Sequence, residues 1–196
     1  MENLYGLVVC GGQSTRMGTD KSLLEYYSTP HRYYLYHLLD PFCDNVFLSC
    51  NPPQAIEVEE FYNILIDKSE YVNIGPMAAL LSAFRQYPYA GFVVIGCDYP
   101  FFKENDVKKL IKNRDDNSQA VCYYDPVTNI EEPLLAIYEN RCMPRLFQSF
   151  DEGNYSLRHF LKTINAKKIS PESSKSLISV DTVSQYKDTL LKLKDL

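Results

Sequence analysis

Short apolar runs alternate along this chain with segments of helical spacing. Runs of strand length end at Val9, Ser49, Ile66 and Gly96, and the segments between them repeat apolar residues every three or four positions. The order strand, loop, helix, strand, helix, strand predicts a parallel sheet with right-handed crossovers. The carboxyl ends of its strands would share one edge, where ligands of such sheets bind.

The full pattern predicts a three-layer α/β/α fold with a mostly parallel central sheet, as a single domain over residues 1–196. The predicted strands are 7–9, 45–49, 63–66, 91–96, 120–124, 133–138, 167–169 and 177–180. The predicted helices are a short one after 51–53, then 31–40, 77–86, 103–114, 141–150, 156–164 and 183–193. Residues 124–132 fit either a substrate-facing loop or an exposed hairpin.

Composition narrows the classes of partner. A net charge of -5 and a pI near 5.2 argue against a nucleic-acid surface, which requires a basic face. Six cysteines without zinc-ligand spacing indicate buried thiols in a reducing compartment. Met1 leads within six residues into the first strand and no apolar run has membrane-spanning length, so we expect a cytoplasmic protein that binds no membrane.

The loop after the first strand has the composition of a phosphate-binding loop. Gly11 and Gly12 can take positive φ and leave room for an anion to approach the main chain. Arg16 offers a planar fork for phosphate oxygens, and Lys21 offers a mobile charge that can follow a leaving group. An isolated glycine pair is more often a simple turn, so the spacing of the whole loop decides between the two readings.

Two aspartates stand where later strands end. Asp67 follows the run that ends at Ile66, and Asp98 follows the most apolar strand of the chain, 91–96. A carboxylate directly behind a hydrophobic run is costly without a partner. We therefore favour Asp98 as a metal ligand over a surface-turn residue, and we expect Asp67, Asp98 and the glycine loop to converge on one crevice.

The loop matches neither the Walker A motif nor the dinucleotide-binding glycine motif. It reads G-G-x-S-x-R-M-G-x-D-K-x-L-L from Gly11 to Leu24, which resembles the signature loop of the Rossmann-like nucleotidyltransferases. The resemblance is closest to the MobA family of molybdenum cofactor guanylyltransferases. Other segments similar to that family are 75–80, 97–101, 132–134 and 156–158.

The resemblance implies a Rossmann-like nucleotidyltransferase fold and a set of ligand contacts. By this similarity, the guanosine nucleotide would be bound by the main chain of Val9, Cys10, Gly11 and Gly12 together with Asp67. Lys21 would contact phosphate, and Asp98 would bind Mg²⁺.

The chain departs from the family pattern at several positions. Ala79 replaces the second glycine of the G-P segment, Ser28-Thr29-Pro30 replaces the usual G-K-P turn, and Asp181 stands in place of a late asparagine. Asp181 fits equally a second metal ligand, as in related nucleotidyltransferases, and a cap for the last helix, a position that Thr182 also suits.

The reaction implied by the resemblance is transfer of GMP from Mg·GTP to molybdopterin with release of pyrophosphate. Arg16, Lys21 and Asp98 would act in catalysis, because phosphoryl-type transfer needs charge compensation and no protein nucleophile. A cytidylyltransferase, a sugar-phosphate nucleotidyltransferase and a non-catalytic nucleotide-binding or cofactor-chaperone protein remain alternatives. Molybdoenzyme maturation proteins are the partners that the family suggests.

Overall fold

A computed structural model describes residues 3–11 and 17–194, which contain a seven-stranded sheet between two sets of helices. The strands are β1 (Leu4–Val9), β2 (Asn45–Cys50), β3 (Ile64–Ile66), β4 (Gly91–Gly96), β5 (Ala120–Asp125), β6 (Ile130–Tyr138) and β7 (Lys167–Ile169). The helices are α1 (His31–Leu39), α2 (Pro52–Ile56), α3 (Met77–Gln86), α4 (Glu104–Lys112), α5 (Met143–Asp151), α6 (Leu157–Thr163) and α7 (Val183–Lys194).

The strand order is β3-β2-β1-β4-β6-β5-β7, and the sheet is mostly parallel as predicted. The pairs β1 with β2, β1 with β4, β2 with β3 and β5 with β7 are parallel. Strand β6 runs antiparallel to both of its neighbours, β4 and β5. The prediction of a parallel α/β sheet is therefore confirmed, with one reversed strand.

Each face of the sheet is covered by its own apolar cluster, because successive side chains of a strand point to opposite faces. In β1, Leu7 and Val9 pack on the cluster that includes α3 and α6, whereas Leu4 and Val8 pack on the cluster that includes α1 and α4. All six residues of β4 are buried, so this strand is covered on both faces. These layers give the predicted α/β/α architecture.

Strand β1 lies between two parallel neighbours, β2 and β4, and its carboxyl end lies at the edge of the sheet where ligand contacts were expected. Val9 is the register partner of Ser49 on one side and of Gly96 on the other. The Cys10 N–H donates to the Ser49 carbonyl at 3.0 Å, and the Cys97 N–H donates to the Val9 carbonyl at 3.2 Å. Residues that follow β1, β2 and β4 therefore leave the sheet side by side.

Two local expectations are resolved by the structure. Residues 177–180, predicted as a strand, are not one: Ser174–Leu177 forms a 3-10 turn, and the Val180 N–H donates to the Asp98 carbonyl at 2.8 Å instead of joining a strand. Residues 124–132 form a hairpin between β5 and β6, not a long loop. Within the described ranges, no helix has the length and apolar character needed to cross a membrane.

Candidate active site

The end of β1 supplies main chain to the candidate site. Val9, Cys10 and Gly11 lie at the carboxyl edge of the sheet, whereas Gly12 and Arg16 lie outside the described residues. Gly11 does not adopt the positive φ expected from the sequence; in the described part of the loop that conformation occurs at Gly18, with φ 68°. Only a residue without a Cβ takes this conformation at little cost, so the loop turns at Gly18.

A cleft of about 600 Å³ opens beside Val9 and Gly11. Its far walls come from the segment after β2, the segment after β3 and the start of α3. Its lining includes Asn51, Pro52, Asp67, Tyr71, Gly75, Pro76 and Ala79. Gly75 has φ 70°, and Pro76 precedes α3, whose positive dipole end therefore faces the cleft.

Asp67 lies in this cleft as the sequence predicted for a strand-end residue. Its N–H donates to the Cys50 carbonyl at 2.9 Å, and its Oδ1 accepts a hydrogen bond from Ser49 Oγ at 2.8 Å. A Cβ built on Gly11 would lie 3.5 Å from Asp67 Oδ2, so the main chain just after β1 passes close to the Asp67 carboxylate. Burial raises the pKa of Asp67, and the Ser49 hydrogen bond opposes that rise.

Lys21 lies on a 3-10 turn, Lys21–Leu23, which Asp20 caps by accepting a hydrogen bond from the Ser22 N–H at 2.8 Å. The Lys21 ammonium forms an ion pair with Asp181, a residue 160 positions further along the chain. Lys21 is thus held at the strand-end edge by a contact with the C-terminal segment.

Asp98 folds back over the end of β4. A Cβ built on Gly96 would lie 2.6 Å from Asp98 Oδ1 and 3.0 Å from Leu134 Cδ1, so glycine is needed at this position. Asp98 Oδ1 is buried and has no hydrogen-bond partner among the described residues. Its main-chain carbonyl accepts the hydrogen bond from Val180.

The surroundings of Asp98 are rich in charge. Burial raises the pKa of Asp98 from 3.8 to about 6; Lys21 opposes this rise, whereas Asp181 and Glu132 add to it. A buried carboxyl with an unpartnered oxygen, whose ionisation Asp181 and Glu132 oppose, is an arrangement that a cation would stabilise.

The donor set at Asp98 fits a Mg²⁺ ion bound together with phosphates. Among residues 3–11 and 17–194, no three histidine, cysteine or acidic side chains are close enough to form a ready-made metal site. Mg²⁺ is typically held by one or two carboxylates, with water and substrate phosphates as its other ligands. Asp98 with Asp181 supplies that number of carboxylates.

The structure separates the two readings of Asp181. The N-terminus of α7 is capped by Thr182, whose Oγ1 accepts from the Gln185 N–H at 3.3 Å while Gln185 Oε1 accepts from the Thr182 N–H at 3.0 Å. The Asp181 carboxylate instead faces Lys21 and influences Asp98. The cap is therefore Thr182, and the metal role of Asp181 stays a prediction.

The sequence analysis assigned no site role to four polar residues at this edge, which form two separate clusters. Tyr99 Oη donates to Glu132 Oε2 at 2.9 Å, and Arg158 Nη2 lies 4.0 Å from the same oxygen. Gln54, at the end of the first turn of α2, donates to the Cys10 carbonyl and to Asp20. Glu132 and Arg158 lie in the segments 132–134 and 156–158, whose similarity to the family could have identified them as site residues. No local sequence pattern marks Gln54.

Comparison with known proteins identifies relatives over nearly the whole chain. The molybdenum cofactor biosynthesis bifunctional protein of Synechocystis sp. is 31% identical over 184 residues, which cover 93% of this chain and 52% of that protein. The chain thus spans about half the length of that relative. A probable molybdenum cofactor guanylyltransferase of Bacillus mycoides is 23% identical over 193 residues, covering 95% of both chains.

The fold is shared with a solved structure. The crystal structure of molybdopterin-guanine dinucleotide biosynthesis protein A from Archaeoglobus fulgidus gives a TM-score of 0.81 at 18% identity, covering 98% of this chain and all of that one. At that identity the similarity establishes the Rossmann-like nucleotidyltransferase fold. A family model, the MobA-like NTP transferase domain, matches residues 6–169, and the chain therefore belongs to this family of nucleotidyltransferases.

Proposed function

We propose that this chain is a Mg²⁺-dependent guanylyltransferase that transfers GMP from GTP to molybdopterin and releases pyrophosphate. The observation that supports this most directly is that a cleft of about 600 Å³ and a charged cluster lie at the ends of neighbouring strands, β1 and β4, although Asp98 is not part of the cleft lining. The cleft holds Asp67 and the end of β1; the cluster contains Lys21, Asp98 and Asp181. The two regions are linked, because the N–H of Cys97, the residue before Asp98, donates a hydrogen bond to the carbonyl of Val9 in the cleft wall.

In this proposal the cleft receives the nucleoside and the cluster receives the phosphates. Main-chain groups of Val9, Cys10 and Gly11, continued by Gly12, would bind the nucleotide, and Asp67 would accept hydrogen bonds from it. The carboxylate of Asp67 is already fixed by Ser49, so it needs little reorganisation on binding. The requirement for guanine rests on the family and on the named relatives.

Asp98 would hold the Mg²⁺ ion, and Asp181 would hold it as a second ligand. When bound, the ion supplies compensation of the negative charge on the phosphates and on the leaving pyrophosphate. The unpartnered, buried Oδ1 of Asp98 supports this assignment, because an unpaired buried carboxylate is otherwise destabilising.

The transfer is an in-line displacement at the α-phosphorus of GTP. A phosphate oxygen of molybdopterin forms a bond to that phosphorus, the bond to the oxygen bridging the α- and β-phosphates breaks, and pyrophosphate leaves with the electron pair. Lys21 would exchange its ion pair with Asp181 for the phosphate charge, and Arg16 would add a second cation. Orientation and charge compensation are the chain's contribution, and no covalent enzyme intermediate is involved.

A panel of four nucleoside triphosphates with Mg²⁺ tests the proposal in two stages. Thermal stabilisation first ranks the nucleotides, because a ligand that binds only the folded state raises its stability. Pyrophosphate release with molybdopterin is then measured for the wild type, Asp98→Ala and Lys21→Ala. We expect a preference for GTP and loss of release in both variants.

Other results would change the assignment. A preference for CTP would indicate a cytidylyltransferase, and release only with a sugar phosphate would indicate another acceptor. Nucleotide binding without release from any acceptor would indicate a non-catalytic nucleotide-binding or chaperone protein. Wild-type release rates in both variants would refute the catalytic roles.

We propose the cytoplasm as location and molybdoenzyme maturation proteins as partners by analogy with the family.

A further inference from the structure

One side-chain amide links the two ends of the signature loop. Gln54 Nε2 donates one hydrogen bond to the Cys10 carbonyl at 3.1 Å and another to Asp20 Oδ2 at 2.6 Å. Cys10 follows β1 directly, and Asp20 directly precedes Lys21. Gln54 is only 9% exposed, so both hydrogen bonds are shielded from competing water.

The orientation of this amide is fixed by α2 itself. Asn51 and Gln54 form a reciprocal capping box, in which Gln54 Oε1 accepts from the Asn51 N–H at 3.1 Å and Asn51 Oδ1 accepts from the Gln54 N–H at 2.9 Å. Because Oε1 faces an N–H donor, Nε2 must be the atom that faces Cys10 and Asp20, and both of these are acceptors.

The second oxygen of Asp20 continues the linkage to Lys21. Asp20 Oδ1 accepts from the Ser22 N–H and so caps the 3-10 turn Lys21–Leu23. The position of this turn relative to the end of β1 is therefore set through Asp20 by the side chain of Gln54. Phosphate-directed groups need such placement, since a displacement of about 1 Å can lower a rate a hundredfold.

We propose that Gln54 is a positioning residue that holds Lys21 in place against the end of β1; its importance for turnover rests on the proposed function. Gln54 acts through Asp20 and the capped turn. The position of Lys21 is thus controlled from both sides, by Gln54 through Asp20 and by Asp181 through the ion pair.

The test uses the nearly isosteric substitution Gln54→Glu and inorganic tripolyphosphate as the probe, which requires neither a base nor an acceptor. At pH 8 the introduced carboxylate would face two acceptors, so we expect the Kd for tripolyphosphate to rise roughly ten- to a hundredfold, the range for a lost hydrogen bond to a charged group. As the pH falls to 5, the protonated carboxyl regains a donor, and the ratio of variant to wild-type Kd should fall toward one.

A double-mutant cycle then tests whether the effect passes through Lys21. In the Lys21→Ala background, Gln54→Glu should change the Kd less than about twofold, because the group that it positions is gone. An additive effect in the cycle, or a Kd ratio that does not depend on pH, would overturn the proposal.

Two control variants separate positioning from general effects. Gln148→Glu makes the same substitution at an exposed amide on α5, which donates to Glu152 at 2.8 Å, and should leave tripolyphosphate binding unchanged at every pH. Ala55→Gly weakens α2 without removing the bridging amide; it should lower the unfolding temperature and leave the Kd within about twofold. A loss of binding in Ala55→Gly equal to that in Gln54→Glu would assign the effect to helix stability and refute positioning.

The same variants distinguish failure of this inference from failure of the proposed function. If the wild type binds tripolyphosphate with the expected Gln54 and Lys21 dependence but releases no pyrophosphate from any nucleotide, the positioning role stands and the guanylyltransferase proposal fails. If GMP transfer occurs and Gln54→Glu retains wild-type kcat and tripolyphosphate affinity, the positioning role fails alone.

Discussion

The raised pKa of Asp98 predicts that removing its charge stabilises the ligand-free protein. Burial shifts this pKa from 3.8 to about 6, which makes the ionised carboxylate more costly in the folded than in the unfolded state. At about 1.4 kcal/mol for each pKa unit, the difference corresponds to roughly 3 kcal/mol. Asp98→Asn should therefore be more stable than the wild type by about this amount at pH 8.

The sign of the pH dependence follows from the direction of the shift. Well below pH 3.8 the carboxyl is neutral in both folded and unfolded chains, so the wild type and Asp98→Asn should be equally stable. As the pH rises from 3.8 to about 6, the wild type loses stability relative to the variant, and above this range the difference stays constant. For a chain of this size, roughly 3 kcal/mol corresponds to a difference of about 6 to 12 °C in unfolding temperature.

The measurement is thermal unfolding of both proteins between about pH 3 and pH 8, first without ligand and then with Mg·GTP. The exposed substitution Asp188→Asn on α7 serves as the control for loss of one negative charge. With Mg·GTP above pH 6, the wild type should gain stability and Asp98→Asn should gain much less, because the metal ligand is gone. A difference between the two proteins that does not change with pH would refute the electrostatic reasoning.

Three further predictions concern the ion pairs. Lys21→Ala should lower pyrophosphate release at least tenfold at saturating nucleotide, because it removes the cation that compensates the leaving group; a wild-type rate would exclude that role. Asp181→Asn should raise the Mg²⁺ concentration for half-maximal activity several-fold, and an unchanged Mg²⁺ dependence would leave Asp181 as a counter-ion only. Arg114→Ala should lower the free energy of unfolding by about 3 kcal/mol in a urea titration, because Arg114 and Glu139 form a buried ion pair at 2.8 Å. Arg145→Ala, at an exposed position, is the control. A loss below about 1 kcal/mol in Arg114→Ala would contradict this prediction.

The parts of the fold that follow from local pattern were predictable from the sequence. Strand β4 is a continuous apolar run because both of its faces are covered. Helix α3 shows helical spacing in its large apolar residues, and the small residues between them are buried as well from Met77 to Phe84. The reversal of β6 left no such signal, since residues 133–138 are as apolar as a buried parallel strand. Direction is decided by the short hairpin from β5, which residues 124–132 form.

The error at residues 177–180 has a different origin. Leu177, Ile178 and Val180 are apolar and β-prone, but a strand also needs a free sheet edge of suitable length. The preceding residues close a 3-10 turn, and Val180 finds its hydrogen-bond partner at Asp98, beyond the end of β4. Burial explains the apolar side chain of Val180, whereas Leu177 is only half-buried and Ile178 is exposed, so the apolar run does not mark a buried strand.

The candidate site divides in the same way. Asp67 and Asp98 were predictable because polar residues directly after apolar strands meet at one edge of a parallel sheet. The hydrogen bonds of Gln54 span 44 residues to Cys10 and 34 to Asp20, and the pair of Lys21 with Asp181 spans 160. Contacts between such distant residues depend on the folded topology and leave no periodic trace in the chain.

The sheet is complete before the proposed catalytic centre is. Val180 and Asp181, which contact Asp98 and Lys21, come after the last strand of the sheet. The family match and the last strand, β7, both end at residue 169. A shortened chain that stopped there would keep all seven strands, yet it would lack the counter-charge of Lys21 and the N–H that steadies the Asp98 carbonyl. A domain boundary placed after the last strand would therefore keep the sheet but remove two contacts that hold Lys21 and Asp98.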